Sequence, residues 1–326
     1  MQKIEVSYKS FFTFFLFIAG FFLLYQIRAI ILFLFISLIV TAALSPMVDK
    51  LEKLKLPRAL SIFLLYILIF GGFIFAIASS IPALVKQTSA LIDKLPEFLN
   101  TIGYYKLNLQ PADYKDQITV LTGNALKIMA SVFNNVIQIF AFMVVTFYLL
   151  MERRQLKKHL HFLFYENGEQ KAEQLILALE RKLGGWVRGE LILMVIVGLM
   201  SFVGLGLLGV EFALPLAILA GFLELIPNLG PTIALIPAVI IGFSVSNPVG
   251  LGVLALYILI QQLENNLIVP KVMKKSVGLH PLVTLVALMV GFKIGGIGGG
   301  LLAVPAALFI EILIKFFYSS RRRVLH

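Results

Sequence analysis

Carboxyl and amide side chains lie inside apolar stretches of this sequence, where polar and ionisable groups are costly. Asn228 follows Glu224 at a four-residue spacing that places both side chains on one face of a helix. A second group falls within six consecutive positions and consists of Gln261, Gln262, Glu264, Asn265 and Asn266. It covers an arc of about 200° on a helix, which indicates a surface facing protein, water or a solute. Carboxyls placed in this way accept a proton or bind a cation, and amides hydrogen-bond a hydroxyl-rich solute.

Each of these groups also has a structural interpretation. Glu224 suits the lipid–water interface or the cap of a neighbouring helix, and the amides suit hydrogen bonds between helices. Glu311 in the last apolar stretch and Lys293 before a glycine run are secondary candidates for a transport role or a buried ion pair. His280, which precedes a proline, is a further secondary candidate, with a helix start as its alternative.

The sequence lacks the patterns typical of enzymes, cofactor sites and metal centres. It contains no cysteine, which excludes thiolate catalysis, cysteine-type zinc sites and disulfides. His159 and His161 have neither the HExxH spacing nor clustered carboxylates beside them. The glycine run is not followed by Lys-Ser or Lys-Thr, and no nucleophile elbow is present. We therefore predict a protein that is not an enzyme and has no cofactor, with Na⁺ at Glu224 or Glu264 as the one metal ion to consider.

The composition places these residues in a bilayer. Hydrophobic residues make up 60% of the chain and charged residues 14%, whereas soluble domains average about 45–50% and about 25%. The net charge of +11 is concentrated in short loops between apolar runs, as the positive-inside rule expects, and no nucleic-acid-binding motif accompanies it. The predicted class is an all-α polytopic membrane protein with both termini cytoplasmic.

The apolar runs predict about eight hydrophobic segments or more. Runs 10–27 and 29–45 are expected to form a tight hairpin with Arg28 at its tip, followed by a cytoplasmic loop at 46–58. A cleaved signal peptide is the alternative for the first run, although no small-residue cleavage site follows it. The predicted order is N-terminal membrane helices at 1–82, a polar extracytoplasmic segment at 83–128, a membrane helix at 129–151, a cytoplasmic amphipathic helical segment at 152–190, a transport core at 191–318 and a basic cytoplasmic tail at 319–326.

Two pairs of short apolar runs, 213–246 and 281–318, flank the longer apolar segment 249–269. A helix of about 15 residues covers only about 22 Å of the roughly 30 Å of hydrocarbon. Because an odd number of crossings separates the pairs, they enter from opposite sides, which is typical of transporter sites built from inverted repeats. We predict re-entrant helical hairpins, with ordinary loops between full spans as the alternative. Their hinge and tip residues are Pro227, Gly230, Pro231, Gly295, Gly296, Gly298, Gly299, Gly300 and Pro305.

Several ordered motifs between 186 and 318 together resemble one family. They are Trp186-Val187-Arg188-Gly189, Leu225-Ile226-Pro227-Asn228-Leu229-Gly230-Pro231, Gln262-Leu263-Glu264-Asn265-Asn266 running on to Pro270-Lys271-Val272-Met273, Gly278-Leu279-His280-Pro281-Leu282 and Leu302-Ala303-Val304-Pro305. These resemble the AI-2E family of transporters, the autoinducer-2 exporters also known as PerM-type permeases. Asn228 departs from the aromatic more usual there, and Lys274-Lys275 from the glycine that often follows the methionine. The resemblance implies an inner-membrane transporter with inverted hairpins, assembled as a homo-oligomer and expected to be a pentamer.

Three functions compete at this point. The leading one is secondary active export of a small polar solute, similar to autoinducer-2, by alternating access and with proton coupling because no ATP-binding motif exists. Glu224 and Glu264 would titrate, while Asn228, Asn265 and Asn266 would hold the solute. The alternative is a Na⁺(Li⁺)/H⁺ antiporter, because carboxylate and amide oxygens suit a hard cation. The third is a non-transporting membrane scaffold. The expected partners are the lipid bilayer, the solute or a monovalent cation, and copies of the chain, but no nucleic acid.

Overall fold

A computed structural model describes residues 8–72, 74–75, 135–164, 167–226, 230–273 and 279–322, and every regular element in these ranges is helical. The predictions for 83–128 and for Pro227 and Asn228 lie outside the described residues. The helices are α1 (Tyr8–Gln26), α2 (Arg28–Lys53), α3 (Arg58–Tyr66), α4 (Val136–Glu152), α5 (Leu156–Leu160), α6 (Gly168–Leu207), α7 (Ala213–Leu223), α8 (Gly230–Val245), α9 (Asn247–Leu263), α10 (Val269–Val272) and α11 (Pro281–Arg322). π-Helical turns occupy Ile67–Gly71 and Glu264–Ile268, and a 3₁₀ turn occupies His161–Leu163.

Four helical stretches are long and apolar enough to cross a bilayer, and the predicted all-α class is confirmed for the described residues. These stretches are Arg28–Lys53, Gly168–Leu207, Asn247–Val272 and Leu282–Phe316. Shorter apolar helices accompany them, α7 and α8 among them. Many large apolar side chains on these helices are exposed, which fits a surface that faces lipid rather than water.

The N-terminal region differs from the predicted hairpin and loop. Ile27 alone separates α1 from α2, and its φ of −92° and ψ of 7° bend the chain rather than reverse it. α2 also continues through Pro46 to Lys53, across most of the loop expected at 46–58. A proline removes the N–H that would bond the carbonyl four residues earlier, which is that of Ala42. Arg188 of α6 compensates, because its guanidinium donates to the carbonyls of Ala42 at 3.3 Å and Ala43 at 2.9 Å.

Helix α6 is the centre of the described fold and packs against α2, α7, α9 and α11. It runs for 40 residues without interruption, so it crosses the boundary at 190 between the amphipathic segment and the transport core. Its buried side chains recur at helical spacing and include Leu183, Trp186, Leu193, Val197 and Leu205. They join two apolar cores, one with α7, α8 and α9 and the other with α2 and α11.

Arginine–carboxylate pairs connect neighbouring helices near their polar segments. Arg153, just after α4, holds Glu180 of α6 through two hydrogen bonds of 2.7 and 2.6 Å. This hydrogen-bonded carboxylate raises the pKa of the Arg153 guanidinium above its ordinary value. Arg58 at the start of α3 likewise bonds Asp49 at 2.8 Å and Glu52 at 2.9 Å near the end of α2. These pairs set the positions of α2, α3, α4 and α6 relative to one another.

Helix α11 is broken at the glycine run. Gly295 and Gly296 have non-helical backbone angles, and the φ of +57° at Gly296 is one that side chains with a Cβ rarely adopt. The arms on either side touch, because a Cβ at Gly299 would lie only 2.0 Å from the carbonyl oxygen of Gly291. Pro305 lies within the second arm, which contributes Val304, Leu308 and Ile312 to the core with α6.

Candidate functional site

Three glutamates from separate helical segments come together beside the core of α6, α7 and α9. Glu190 lies within α6, Glu224 ends α7, and Glu264 begins the π-helical turn after α9. Their exposed fractions are 2%, 1% and 2%, so all three are as buried as the apolar residues around them. The carboxyls of Glu224 and Glu264 are within reach of a direct hydrogen bond, and Glu190 interacts electrostatically with both. We call these three residues the carboxyl cluster.

A close crossing of α6 and α7 brings Glu190 and Glu224 together. A Cβ at Gly221 of α7 would lie 2.6 Å from the carbonyl oxygen of Met194 and 3.4 Å from the Cα of Gly198, both in α6. Only a residue without a side chain permits this separation of the two backbones. Met194 is one helical turn beyond Glu190, and Glu224 is three residues beyond Gly221. The crossing therefore fixes the spacing of these two carboxyls.

Helix α9 directs Glu264 inward by ordinary helical periodicity. Val253, Tyr257 and Ile260 form one buried stripe, and Glu264 continues it at the next i, i+4 position. The helix begins at Ser246, whose hydroxyl accepts a hydrogen bond from the backbone N–H of Val249. Pro270 follows the π-helical turn and lacks the backbone N–H that a regular α-helix would need there. The π-helical turn therefore lies where the α-helical hydrogen bonding is interrupted. π-Helical turns of this kind are frequent at functional sites.

The charge balance of the cluster calls for a proton or a cation. Within the described part of the chain, no Lys, Arg or His forms an ion pair with Glu190, Glu224 or Glu264. One oxygen of each carboxyl is buried without a hydrogen-bond partner there. Three unneutralised carboxylates in an apolar site would cost several kcal/mol each by desolvation, in addition to their mutual repulsion. Glu224 also lies at the C-terminal end of α7, where the helix dipole favours positive charge.

The cluster is not a ready-made multidentate metal centre. Among the described residues, no group of three or more His, Cys, Asp or Glu is arranged to hold a metal ion. Glu224 and Glu264 are the pair within hydrogen-bonding reach, and Glu190 interacts with both through its charge. This arrangement suits a proton shared between two carboxyls, or one small monovalent cation between them.

The predicted amide residues are separated from the buried carboxyls. Gln262, Asn265 and Asn266 are exposed on the other side of the helix that carries Glu264. Asn266 donates from its side chain to the carbonyl and the side-chain oxygen of Gln262, both at 2.9 Å. Gln261 is partly buried. The structure thus brings Glu224 and Glu264 together and leaves the amides on a polar outer surface beside them.

The secondary candidates lie away from the carboxyl cluster. Glu311 is held between Lys182 of α6, at 3.2 Å, and Lys315 one turn along its own helix. Lys293 is exposed beside the break in α11. His280 accepts a hydrogen bond from the N–H of Leu282 at 3.3 Å, as a residue at a helix start does. Of the predicted tip residues, Gly298, Gly299 and Gly300 are helical, and Gly230 and Pro231 are buried in the first turn of α8.

Sequence reasoning missed Glu190, which it assigned to the end of a solvated charged segment. Arg188 lies two residues before it, and this basic neighbour favours an interfacial assignment. The available signal is its register, since Trp186, Glu190, Leu193 and Val197 share one helical face and the other three are apolar. Ser201 on the same face and Tyr257 on the buried stripe of α9 were missed as well, and both are buried polar residues.

Residues 12–319 match the family model described as AI-2E family transporter. The chain belongs to the AI-2E family of transporters. It is 27% identical to the "Putative transport protein YrrI" of Bacillus subtilis, with 90% of this chain and 88% of that protein aligned. It is 29% identical to the B. subtilis "Putative transport protein YueF", over 85% and 83% of the two chains. A "Sodium-lithium/proton antiporter" of Halobacillus andaensis is 22% identical over 82% and 84%. Membership of a transporter family, together with several apolar helices, indicates a multi-pass membrane protein.

Proposed function

We propose that this AI-2E family member exchanges a monovalent cation, Na⁺ or Li⁺, for protons at the carboxyl cluster. The observation that carries the proposal is the burial of Glu224 and Glu264 close to one another, with Glu190 nearby and no basic partner among the described residues. Replacing one proton by one monovalent cation leaves the charge of the buried site unchanged. Exchange therefore avoids the desolvation cost of an uncompensated charge.

The chemistry of the donors supports Na⁺ and Li⁺ over other solutes at this position. Both are hard cations, and carboxylate and backbone carbonyl oxygens are the ligands such ions prefer. The end of α7 supplies carbonyls as well as the negative end of a helix dipole. The Halobacillus andaensis relative, which is 22% identical to this chain and named as a sodium-lithium/proton antiporter, also supports the proposal.

Proton-coupled export of a small polar solute, similar to autoinducer-2, is the second candidate. It is favoured by the exposed amide surface of Gln262, Asn265 and Asn266, which lies on the same turn as Glu264. Amides in such a position suit hydroxyl groups better than they suit a bare cation. In this case the carboxyl cluster would carry only the coupled proton.

The transport cycle we propose uses the broken helical pairs at 213–246 and 281–318 as re-entrant hairpins that move against α6. The cycle requires Glu224, on the first pair, to separate from Glu264, which directly follows α9. The two carboxyls would come together again when the site opens to the opposite side of the membrane. We propose an inner membrane location with both termini cytoplasmic and a homo-oligomeric assembly. The glycines and prolines at the predicted hinges are where the backbone would absorb such movement.

The test is the fluorescence of a pH dye inside proteoliposomes after addition of Na⁺ or Li⁺. Wild-type protein should give cation-driven proton movement, and Glu264→Gln should abolish it because the amide cannot exchange a proton. Glu211→Gln is the matched control, since Glu211 is an exposed carboxylate just before α7. A flat trace from folded wild-type protein would reject cation–proton exchange. Flux of labelled autoinducer-2 would then decide on the second candidate.

A further inference from the structure

A groove lined by two arginines runs along the face of α6 that points away from the carboxyl cluster. The cavity has a volume of about 690 Å³, and α2 and α10 border it at Met47 and Val272. Its α6 residues fall at helical spacing and include Arg181, Gly185, Arg188, Ile192 and Val195. We call this cavity the arginine groove. The first part of it is basic and the remainder is apolar.

The two arginines in the groove lack the carboxylate partners that three other arginines of the fold have. Arg58, Arg153 and Arg154 each form an ion pair with Glu or Asp. Neither Arg181 nor Arg188 forms one within the described ranges, and Arg188 donates to the backbone carbonyls of Ala42, Ala43 and Glu180. Glu180, the acidic residue directly before Arg181, is held by Arg153. Two guanidinium groups without a carboxylate partner, beside an apolar surface, offer N–H donors and positive charge to an anion.

The apolar part of the groove continues along α6 towards the C-terminal end of that helix. A second cavity of about 490 Å³ shares Leu191 and Val195 with the first and extends past Leu199 to Phe202. From Ile192 to Phe202 the helix rises about 15 Å, which equals half of the roughly 30 Å hydrocarbon core. The groove therefore has two arginines at one end, followed by an apolar surface about as long as one leaflet of the bilayer is thick. That is the shape and polarity of a phospholipid.

We propose that the arginine groove binds an anionic phospholipid, with its phosphate at Arg181 and Arg188 and one acyl chain along Ile192, Val195 and Leu199. Arginine recognises phosphate through paired N–H donors, and basic pockets between membrane helices bind acidic headgroups. The lipid would bridge α6 to α2, because Arg188 also holds the carbonyls of α2. This site is independent of the proposed exchange, so its occupancy is measured without any transport assay.

The test is thermal unfolding of the full chain in detergent, followed by the fluorescence of Trp186, the single tryptophan. Phosphatidylglycerol should raise the midpoint in a saturable manner, whereas phosphatidylcholine and inorganic phosphate should not. Arg181→Gln should raise the half-saturating lipid concentration about fivefold, which is the effect of removing one basic residue near an acidic lipid surface. Val195→Phe should also raise this concentration, because the larger side chain fills the space proposed for the acyl chain. Arg181 and Val195 are both exposed, so neither change disturbs the core.

Arg154→Gln is the matched control, because it removes the same charge at an exposed position outside the groove. It should leave the lipid titration unchanged. Equal stabilisation by phosphatidylcholine would overturn the headgroup assignment, and equal protection by inorganic phosphate would reduce the site to a simple anion site. A phosphatidylglycerol effect that survives both Arg181→Gln and Val195→Phe would place the lipid elsewhere and refute the proposal.

Discussion

Replacement of Gly221 by alanine tests whether the close crossing of α6 and α7 sets the geometry of the carboxyl cluster. The new Cβ would lie 2.6 Å from the carbonyl oxygen of Met194, whereas ordinary contact begins at 3.4 Å. The two backbones must therefore separate by about 0.8 Å, unless the contact is relieved by strain that costs about 1–3 kcal/mol. Because Glu224 is three residues from Gly221, it moves with α7 and away from Glu190.

The expected functional loss follows from this displacement. Binding groups must be held within about 0.5 Å of their working positions, and an error near 1 Å costs up to about 100-fold. We expect the cation concentration for half-maximal exchange to rise about 10-fold to 100-fold in Gly221→Ala. The assay is the same dye-loaded proteoliposome measurement, with protein orientation and amount matched between samples.

Gly206→Ala is the control for the general effect of adding a methyl group. Gly206 also lies in an apolar helix, but a Cβ there would meet no atom within 4 Å. It should gain up to about 1 kcal/mol from helix propensity and keep wild-type exchange. Gly221→Ala has the same propensity gain, so the two variants should differ by the strain alone, about 1–3 kcal/mol in the free energy of unfolding. Equal stability and equal cation affinity of the two variants would refute the argument that the crossing positions the cluster.

Two further predictions concern protons and a buried hydroxyl. If a cation displaces one proton at the carboxyl cluster, its apparent affinity should rise by up to about tenfold per pH unit as pH increases; an affinity independent of pH would exclude that competition. Tyr66→Phe removes hydrogen bonds to Thr146 at 2.6 Å and to the carbonyl of Met143 at 3.1 Å, which should lower the free energy of unfolding by about 1 kcal/mol. Tyr148→Phe, at an exposed position of the same helix as Thr146, should leave the thermal midpoint unchanged.

The helical class and two of the three clustered carboxyls could be predicted from local sequence. Glu224 and Glu264 stand out because each interrupts an apolar run, which is a property of a few neighbouring residues. The glycine run likewise indicated a break in the last apolar stretch, and the structure confines the non-helical angles to Gly295 and Gly296. These features depend on backbone preferences and on the cost of polar groups in an apolar segment.

The remaining features depend on partners far away in the chain. The continuation of α2 through Pro46 relies on Arg188, which lies well over a hundred positions further on and bonds the freed carbonyl. Glu190 resembles an interfacial residue until α7 and α9 are packed against it. The outward orientation of the amides beside Glu264 depends on which face of α9 meets the core. None of these can be read from periodicity or composition in a single window.

The unbroken course of α6 makes it a mechanical lever. Arg153 tethers this helix at Glu180. Glu190 lies about 15 Å further along at 1.5 Å per residue, so a tilt of about 10° about the tether displaces it by about 3 Å. Any change that shifts this tether would therefore widen or narrow the gap between Glu190 and its two neighbours. If the carboxyl cluster carries the proposed exchange, its rate would then respond to residues that bind no ion.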